Sequence, residues 1–194
     1  MELVSFHGLG LVAAAGHVMT PRPSSEDLVD AAVAIAGDRP VRIADVGTGS
    51  GAIAAALAAA LPRAEVVATD TSTDAVLLAR TNVARLGLAD RVTVYHANLL
   101  DPVPGPLDLV VANLPYLPLA EASLHPDLAG EPPEAVFADG DGLDPYRDLV
   151  DASRDRLSPD GVLAIQLRRG ILTARRDELD ALAATLGVPD LAAA

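Results

Sequence analysis

VRIADVGTGSGAIAAAL, residues 41–57, is the stretch whose reading decides the fold. An apolar run ends at Asp45-Val46, a loop with glycines at 47, 49 and 51 follows, and an alanine-rich stretch opens directly behind it. That order is strand, tight turn, helix. Glycine permits backbone conformations that a side chain forbids and lets a ligand lie against bare backbone at a helix N-terminus. Gly47, Gly49 and Ala52 also satisfy the relaxed dinucleotide fingerprint G-x-G-x-x-G/A, so the loop alone fits either an NAD site or an adenosyl site.

Working outward, EVVATD (65–70), RVTVYH (91–96), DLVVAN (108–113) and VLAIQL (162–167) repeat the strand pattern. Most are almost continuously apolar, as expected of parallel strands covered on both faces. Helical stretches separate them. Ser24-Ser25-Glu26-Asp27 precedes one whose Leu28, Ala32 and Ile35 share a face. Ala52–Leu61 ends before Pro62, and Ser72 starts a helix that turns Val76, Ala79, Val83 and Leu86 inward and stops at Gly87. Asp144-Pro145 opens another, and a last one is predicted from Thr173 to Leu186, halted by Gly187 and Pro189. The alternation predicts an α/β fold, a doubly wound and mostly parallel sheet, within a single domain over residues 1–194. Residues 114–143 break it with proline, glycine and acid; a long irregular segment leaving a strand's C-terminal end marks a functional region.

Composition narrows the classes. No cysteine is present, which excludes disulfides and thiolate metal sites. The net charge is −13, and all 14 basic residues are arginines, so most of the surface repels phosphate backbones and a nucleic-acid partner is disfavoured. No apolar run has membrane-spanning length and Glu2 stands where a signal peptide carries positive charge, so a cytoplasmic chain without membrane partners is expected. His7, His17, His96 and His125 are dispersed, and no metal site is expected. Asp139-Gly-Asp141-Gly-Leu-Asp144 lacks the ligands and terminal Glu of a calcium loop. Arg168, Arg169, Arg175 and Arg176 read as a solvated helix face.

Two strand ends carry further candidates. Asp70 lies nineteen residues after Gly51, where a carboxylate can accept both ribose hydroxyls of a nucleoside or cap the following helix. Asn98, past the third strand, fits either an adenine edge or a plain turn. Asn113-Leu114-Pro115-Tyr116 ends the fourth strand, where an amide, a stiffened backbone and an aromatic could grip a flat polar group.

Asp45-Val-Gly-Thr-Gly-Ser-Gly51, Asp70 and Asn113-Leu-Pro-Tyr116 resemble, in order and spacing, class I S-adenosylmethionine-dependent methyltransferases. More narrowly they resemble the HemK/PrmC group of release-factor glutamine N5-methyltransferases. Thr20-Pro-Arg-Pro-Ser-Ser-Glu26, Glu131-Pro-Pro-Glu-Ala-Val136 and Gly140-Asp-Gly-Leu143 support the narrower match. The resemblance implies a Rossmann-like fold in which Asp45, Gly47, Thr48, Gly49, Gly51, Asp70, Asn98 and Asn113 hold S-adenosylmethionine, leaving S-adenosylhomocysteine as product. It implies catalytic roles for Asn113, Leu114, Pro115 and Tyr116, and acceptor contacts from Arg22, Asn113, Tyr116 and Glu131. The acceptor it implies is a protein glutamine; a base, a small metabolite or a non-catalytic cofactor-binding role are the alternatives.

The chain departs from that group in three places. Leu114 replaces its usual proline, as in RNA adenine N6-methyltransferases; the group's N-terminal helical domain is absent; and too few residues follow the last helix for its C-terminal hairpin. The last departure predicts that VLAIQL is an apolar edge strand, to be covered either by a homodimer partner or by the final helix.

Overall fold

In the computed structural model, residues 2–101 and 103–187 are described. The chain opens with a hairpin, β1 (Glu2–Phe6) and β2 (Leu9–Ala13), whose turn places His7 and Gly8 at φ of 47° and 75°. Positive φ at both turn positions matches the right-handed twist of the flanking strands. Phe6 and Leu11 are buried, so the hairpin acts as a cover over the helices that follow.

Those are α1 (Glu26–Ala36), then β3 (Arg42–Val46), α2 (Ala52–Ala60), β4 (Glu65–Asp70), α3 (Thr73–Arg85), β5 (Val92–His96) and β6 (Leu107–Ala112). Residues 114–143 hold short 3-10 turns and a pair of two-residue strands, β7 (Leu117–Pro118) and β8 (Phe137–Ala138). The chain continues through α4 (Asp144–Arg154), β9 (Leu157–Leu167), β10 (Gly170–Arg175) and α5 (Leu179–Leu186). The main sheet runs β10-β9-β6-β3-β4-β5, parallel except for β10.

Both faces of the sheet are covered, as the continuous apolar strands require. Ile43, Val66, Leu109 and Ala164 pack toward the hairpin and α1–α3, whereas Ala44, Val46, Val67, Val110, Leu163 and Ile165 pack toward α4 and α5. Helix α2 is built of small residues and is buried along nearly its whole length. At its start a Cβ on Gly51 would lie 3.0 Å from Ala79 Cβ, so glycine there lets α2 and α3 approach closely.

The C-terminal part differs from the expectation. VLAIQL is not the edge: Gly170–Arg175 folds back antiparallel on it, from Gly170 opposite Leu167 to Arg175 opposite Val162. The uncovered strand that motivated a homodimer at that position is therefore absent. Thr173 lies inside β10 rather than at a helix start, and α5 begins at Leu179. The run Ile171-Leu172-Thr173-Ala174 is short and partly β-branched, and pairing with β9 overrides its weak helical pattern. Arg168 and Arg169 accordingly form the β9–β10 turn rather than a helix face, with Arg168 4.0 Å from Glu121 and Arg175 3.0 Å from Asp160. Gly187 follows α5, and Pro189 lies outside the described residues, as does the segment after the last helix. Among the described residues no helix is long and apolar enough to cross a membrane.

Candidate active site

Register brings the candidates into one row. Val46 of β3 pairs with Thr69 of β4 and with Ala112 of β6, Asp70 pairs with His96 of β5, and Ala112 pairs with Ile165 of β9. The residues at or just past these strand ends are therefore neighbours: Asn98, Asp70, Gly47, Asn113 and Gln166. The strand order reverses between β3 and β6, and this is the crevice where open α/β sheets bind ligands.

Within the glycine loop, Gly47, Gly49 and Gly51 take φ of 70°, 55° and 80°. A Cβ on Gly47 would stand 2.5 Å from Leu114 Cδ2, so glycine is what allows the loop to meet the end of β6. At Gly49 the nearest atom to such a Cβ is Val18 Cγ1 at 3.9 Å, which leaves this backbone open for a ligand. Four of the loop amides are used internally. Gly47 and Thr48 N–H both donate to Thr69 O at 2.9 Å, Gly51 N–H donates to Thr48 O at 2.9 Å, and Gly49 N–H donates to Asp70 Oδ2 at 2.8 Å.

Asp70 ties the glycine loop to the residue before α3 rather than capping that helix itself. Its Oδ1 accepts from Ser72 N at 2.9 Å while Oδ2 holds Gly49, and its carboxylate still lines the cavity. Ser72 caps α3 itself, accepting from Ala75 N at 3.3 Å. Asp45 lies deeper. It faces the start of α2, where Oδ2 accepts from Thr48 Oγ1 at 2.6 Å and from Ala54 N at 3.0 Å, supplying the cap that Gly51 cannot. Burial pushes its pKa up to about 6, against the lowering hydrogen bonds from Thr48 and Ala54 and with a further rise from Asp70.

A cavity of about 280 Å³ opens above this row, lined among others by Gly47, Gly49, Asp70, Asn98, Asn113 and Leu114. That is near the lower end of small-molecule sites, roughly 300 Å³. Asp70 and Glu134 are the charged groups in its lining, with His17 and no arginine. No arginine lines the space, so a dinucleotide pyrophosphate would meet no side-chain counter-charge there. A nucleoside carrying positive charge fits this lining, and of the two ligands the loop allowed it is the adenosyl sulfonium that matches.

Beside that cavity, a smaller one is lined by Arg22, Asn113, Leu114, Pro115, Tyr116, Val136 and Gln166 with others. Asn113 donates from Nδ2 to Ser25 Oγ at 2.9 Å, leaving its carboxamide oxygen free to accept. Tyr116 is half-buried between two apolar clusters, its ring backed by Leu117 and Val136. Arg22 and Glu131 meet each other, Nη2 to Oε1 at 3.7 Å, and Glu131 also accepts from Thr20 N at 3.0 Å. They join the two ends of the candidate acceptor region. Glu131 lines neither cavity, whereas Arg22 lines the smaller one.

The long loop is held by its own motif. A Cβ on Gly142, at φ 84°, would stand 2.5 Å from Tyr116 O, so glycine there permits the loop to lie against the Tyr116-Leu117 backbone. Asp141 is taken by Arg147, at 2.6 Å and 3.0 Å, and that guanidinium holds its carboxyl below the usual range.

Four contributors escaped sequence reading. Asn82 is buried and links the hairpin to the glycine loop, bonding Val12 N, Val12 O and Ser50 O at 2.8, 3.0 and 2.9 Å. Leu99 lines the cavity in a left-handed conformation, φ 44°, which is uncommon for leucine and signals a local constraint at the site. Tyr146 and Gln166 stand behind Leu114. A buried Tyr in an apolar helix face and a Gln within an apolar strand were the available signals.

Comparison with known proteins agrees with this geometry. Release factor glutamine methyltransferases from Gloeobacter violaceus and Moorella thermoacetica are 43% and 44% identical, over 79% and 77% of this chain. The matches cover 55% and 54% of those proteins, so the chain spans about half the length of the curated relatives it matches. Among solved structures, the T. thermophilus 16S rRNA N2 G1207 methyltransferase, in complex with AdoMet and guanosine, shares the fold with a TM-score of 0.62. It is 20% identical, over 84% of this chain and 40% of that one. The model of the methyltransferase small domain matches residues 26–125, a span that contains the glycine loop, Asp70 and Asn113-Leu-Pro-Tyr116. The chain belongs to the methyltransferase small domain family.

Proposed function

We propose that this chain transfers a methyl group from S-adenosylmethionine to the side-chain nitrogen of a protein glutamine, with a peptide-chain release factor as the acceptor. The observation that carries the reading is the pairing of two acceptors with a lone pair to offer at the end of β6 beside an acid-lined cavity: Asn113 Oδ1, which has no partner among the described residues, and the Leu114 carbonyl, which accepts only from the Tyr146 hydroxyl. The names of the relatives support the acceptor.

An amide nitrogen is a poor nucleophile because its lone pair is delocalised into the carbonyl. Asn113 Oδ1 and Leu114 O can each take one of its hydrogens, which orients the nitrogen and favours the lone pair turning out of the amide plane. Tyr116 stacks on the planar group and limits its rotation. Pro115 stiffens the backbone between these contacts. Gly47 and Gly49 would admit the cofactor against bare backbone, Asp70 would accept from its ribose hydroxyls, and Asn98 would hold the adenine; all four line the cavity. The bound cofactor supplies a methyl on a sulfonium, an already activated donor. Positioning along the in-line path then supplies most of the acceleration, and no general base is assigned. The proton leaves to solvent after transfer.

The test incubates the chain with S-adenosylmethionine and a bacterial release factor and locates the added methyl by tandem mass spectrometry. Methyl on a glutamine side chain is the expected result. Label on RNA or on small metabolites but not on the release factor would refute the acceptor. In calorimetry, Asp70→Ala is expected to weaken S-adenosylmethionine binding at least tenfold, roughly the loss of one charge-assisted hydrogen bond; unchanged binding would remove Asp70 from the site.

A further inference from the structure

We propose that Ser25 and Tyr146 are positioning residues for methyl transfer, each holding one of the two oxygens that receive the acceptor's N–H groups. The inference rests on the reading of Asn113 and Leu114 given above. Tyr146 stands on α4, fully buried, and does not line the cofactor cavity. Its hydroxyl is 2.8 Å from Leu114 O and 2.7 Å from Gln166 O, the carbonyls that follow or end two neighbouring strands. One hydroxyl carries one proton, so the two carbonyls share a single donor and are held together by it. Leu114 O keeps a lone pair for a second donor, and that is the acceptor's N–H. Burial raises the phenol's pKa well above its ordinary value, so the donor persists through the neutral range. Tyr146 packs in a cluster with Leu143, Leu149 and Leu163, where phenylalanine would serve packing equally well. A hydroxyl in that setting carries a desolvation cost that these two carbonyls offset.

Ser25 handles the other oxygen. It occupies the N-cap position of α1, yet its side chain makes no capping bond to the helix. The hydroxyl instead receives Asn113 Nδ2 at 2.9 Å, across 88 positions of sequence. With the amide nitrogen so engaged, Oδ1 is the end presented to the acceptor. The arrangement closes on itself, because Ser24 O accepts from Gln166 Nε2 at 2.9 Å. Asn113, Ser25, Ser24, Gln166, Tyr146 and Leu114 thus form one connected frame around the acceptor position.

The experiment compares the wild type with Tyr146→Phe, Ser25→Ala and Ser25→Thr. Methyl transfer to a bacterial release factor is followed at saturating S-adenosylmethionine, and cofactor affinity is measured by calorimetry. Tyr146→Phe and Ser25→Ala are each expected to lower kcat roughly ten- to hundredfold, the scale of misplacing a reacting group, with cofactor Kd within about twofold of wild type. Ser25→Thr, which keeps the hydroxyl, is expected to restore most of kcat. Wild-type kcat in either truncating variant overturns the proposal, as does a parallel loss of cofactor binding, which marks a merely structural role. If Tyr146→Phe does not fold, the Ser25 pair decides. A wild type silent on the release factor counts against the glutamine acceptor alone. In that case the Leu114 carbonyl ¹³C and Asn113 side-chain ¹⁵N resonances are compared between wild type and the two truncating variants. Unchanged resonances overturn the frame, and shifts at the two named sites support it.

Discussion

Asp45→Asn removes a buried charge, and its effect on stability should depend on pH with a defined sign. The carboxylate sits under the glycine loop, fully buried, with Oδ2 bonded to Thr48 and Ala54 and Oδ1 without a partner among the described residues. Burial moves its pKa from the ordinary 3.8 to about 6. Between those values the folded chain holds a proton that the unfolded chain has released. Stability therefore falls as pH rises through that window and levels off above about 6. At about 1.4 kcal/mol per pH unit the whole window is worth about 3 kcal/mol, of which about 1 kcal/mol lies between pH 5 and pH 7. Asparagine keeps the shape and does not titrate, and its amide nitrogen adds an offset that is independent of pH. Urea denaturation of both chains across that range, followed by circular dichroism, gives the comparison. The stability of the variant relative to wild type should rise by about 1 kcal/mol from pH 5 to pH 7. Parallel profiles for the two chains would refute the buried-charge reasoning.

Gly47→Ala combines a left-handed backbone, φ 70°, with a contact at 2.5 Å to Leu114, and is expected to lose about 2–4 kcal/mol in urea denaturation. Gly49→Ala has the strained φ of 55° but open space, so about 1 kcal/mol is expected; equal losses would remove the Leu114 contact from the account. Asn82→Ala leaves Val12 N, Val12 O and Ser50 O without their partner, and should cost about 2–4 kcal/mol with faster hydrogen exchange at the Val12 amide. An unchanged Val12 exchange rate would show that the hairpin is held by its apolar face alone.

Much of the fold was legible because its signals are local. Four of the five parallel strands are covered on both faces, and their continuous apolar runs announce it; β5, at the edge, alternates buried and exposed residues. The N-terminal hairpin was not legible: its turn is His7-Gly8 rather than a strong hairpin pair, and its outer residues, such as Leu3 at 66% exposure, blur the alternation. Strand β10 was hidden because Ile171–Ala174 suits a strand or a helix, and only its partner β9 decides. The same division holds at the site. Gly47 and Asn113 follow their strands directly and Asp70 ends its own, so all three can be found by spacing. Ser25, Asn82 and Gln166 act across 88, 70 and 142 positions, so their roles exist only once the sheet register is known.

The most direct test of the central claim is radiolabelled methyl transfer from S-adenosylmethionine offered to release factors, RNA and small metabolites, with Asn113→Ala run beside the wild type. Label on the release factor is predicted for the wild type. The variant should lose at least about a hundredfold in turnover while still binding the cofactor, because transfer depends on positioning. Wild-type turnover in Asn113→Ala, with cofactor bound, would contradict the account.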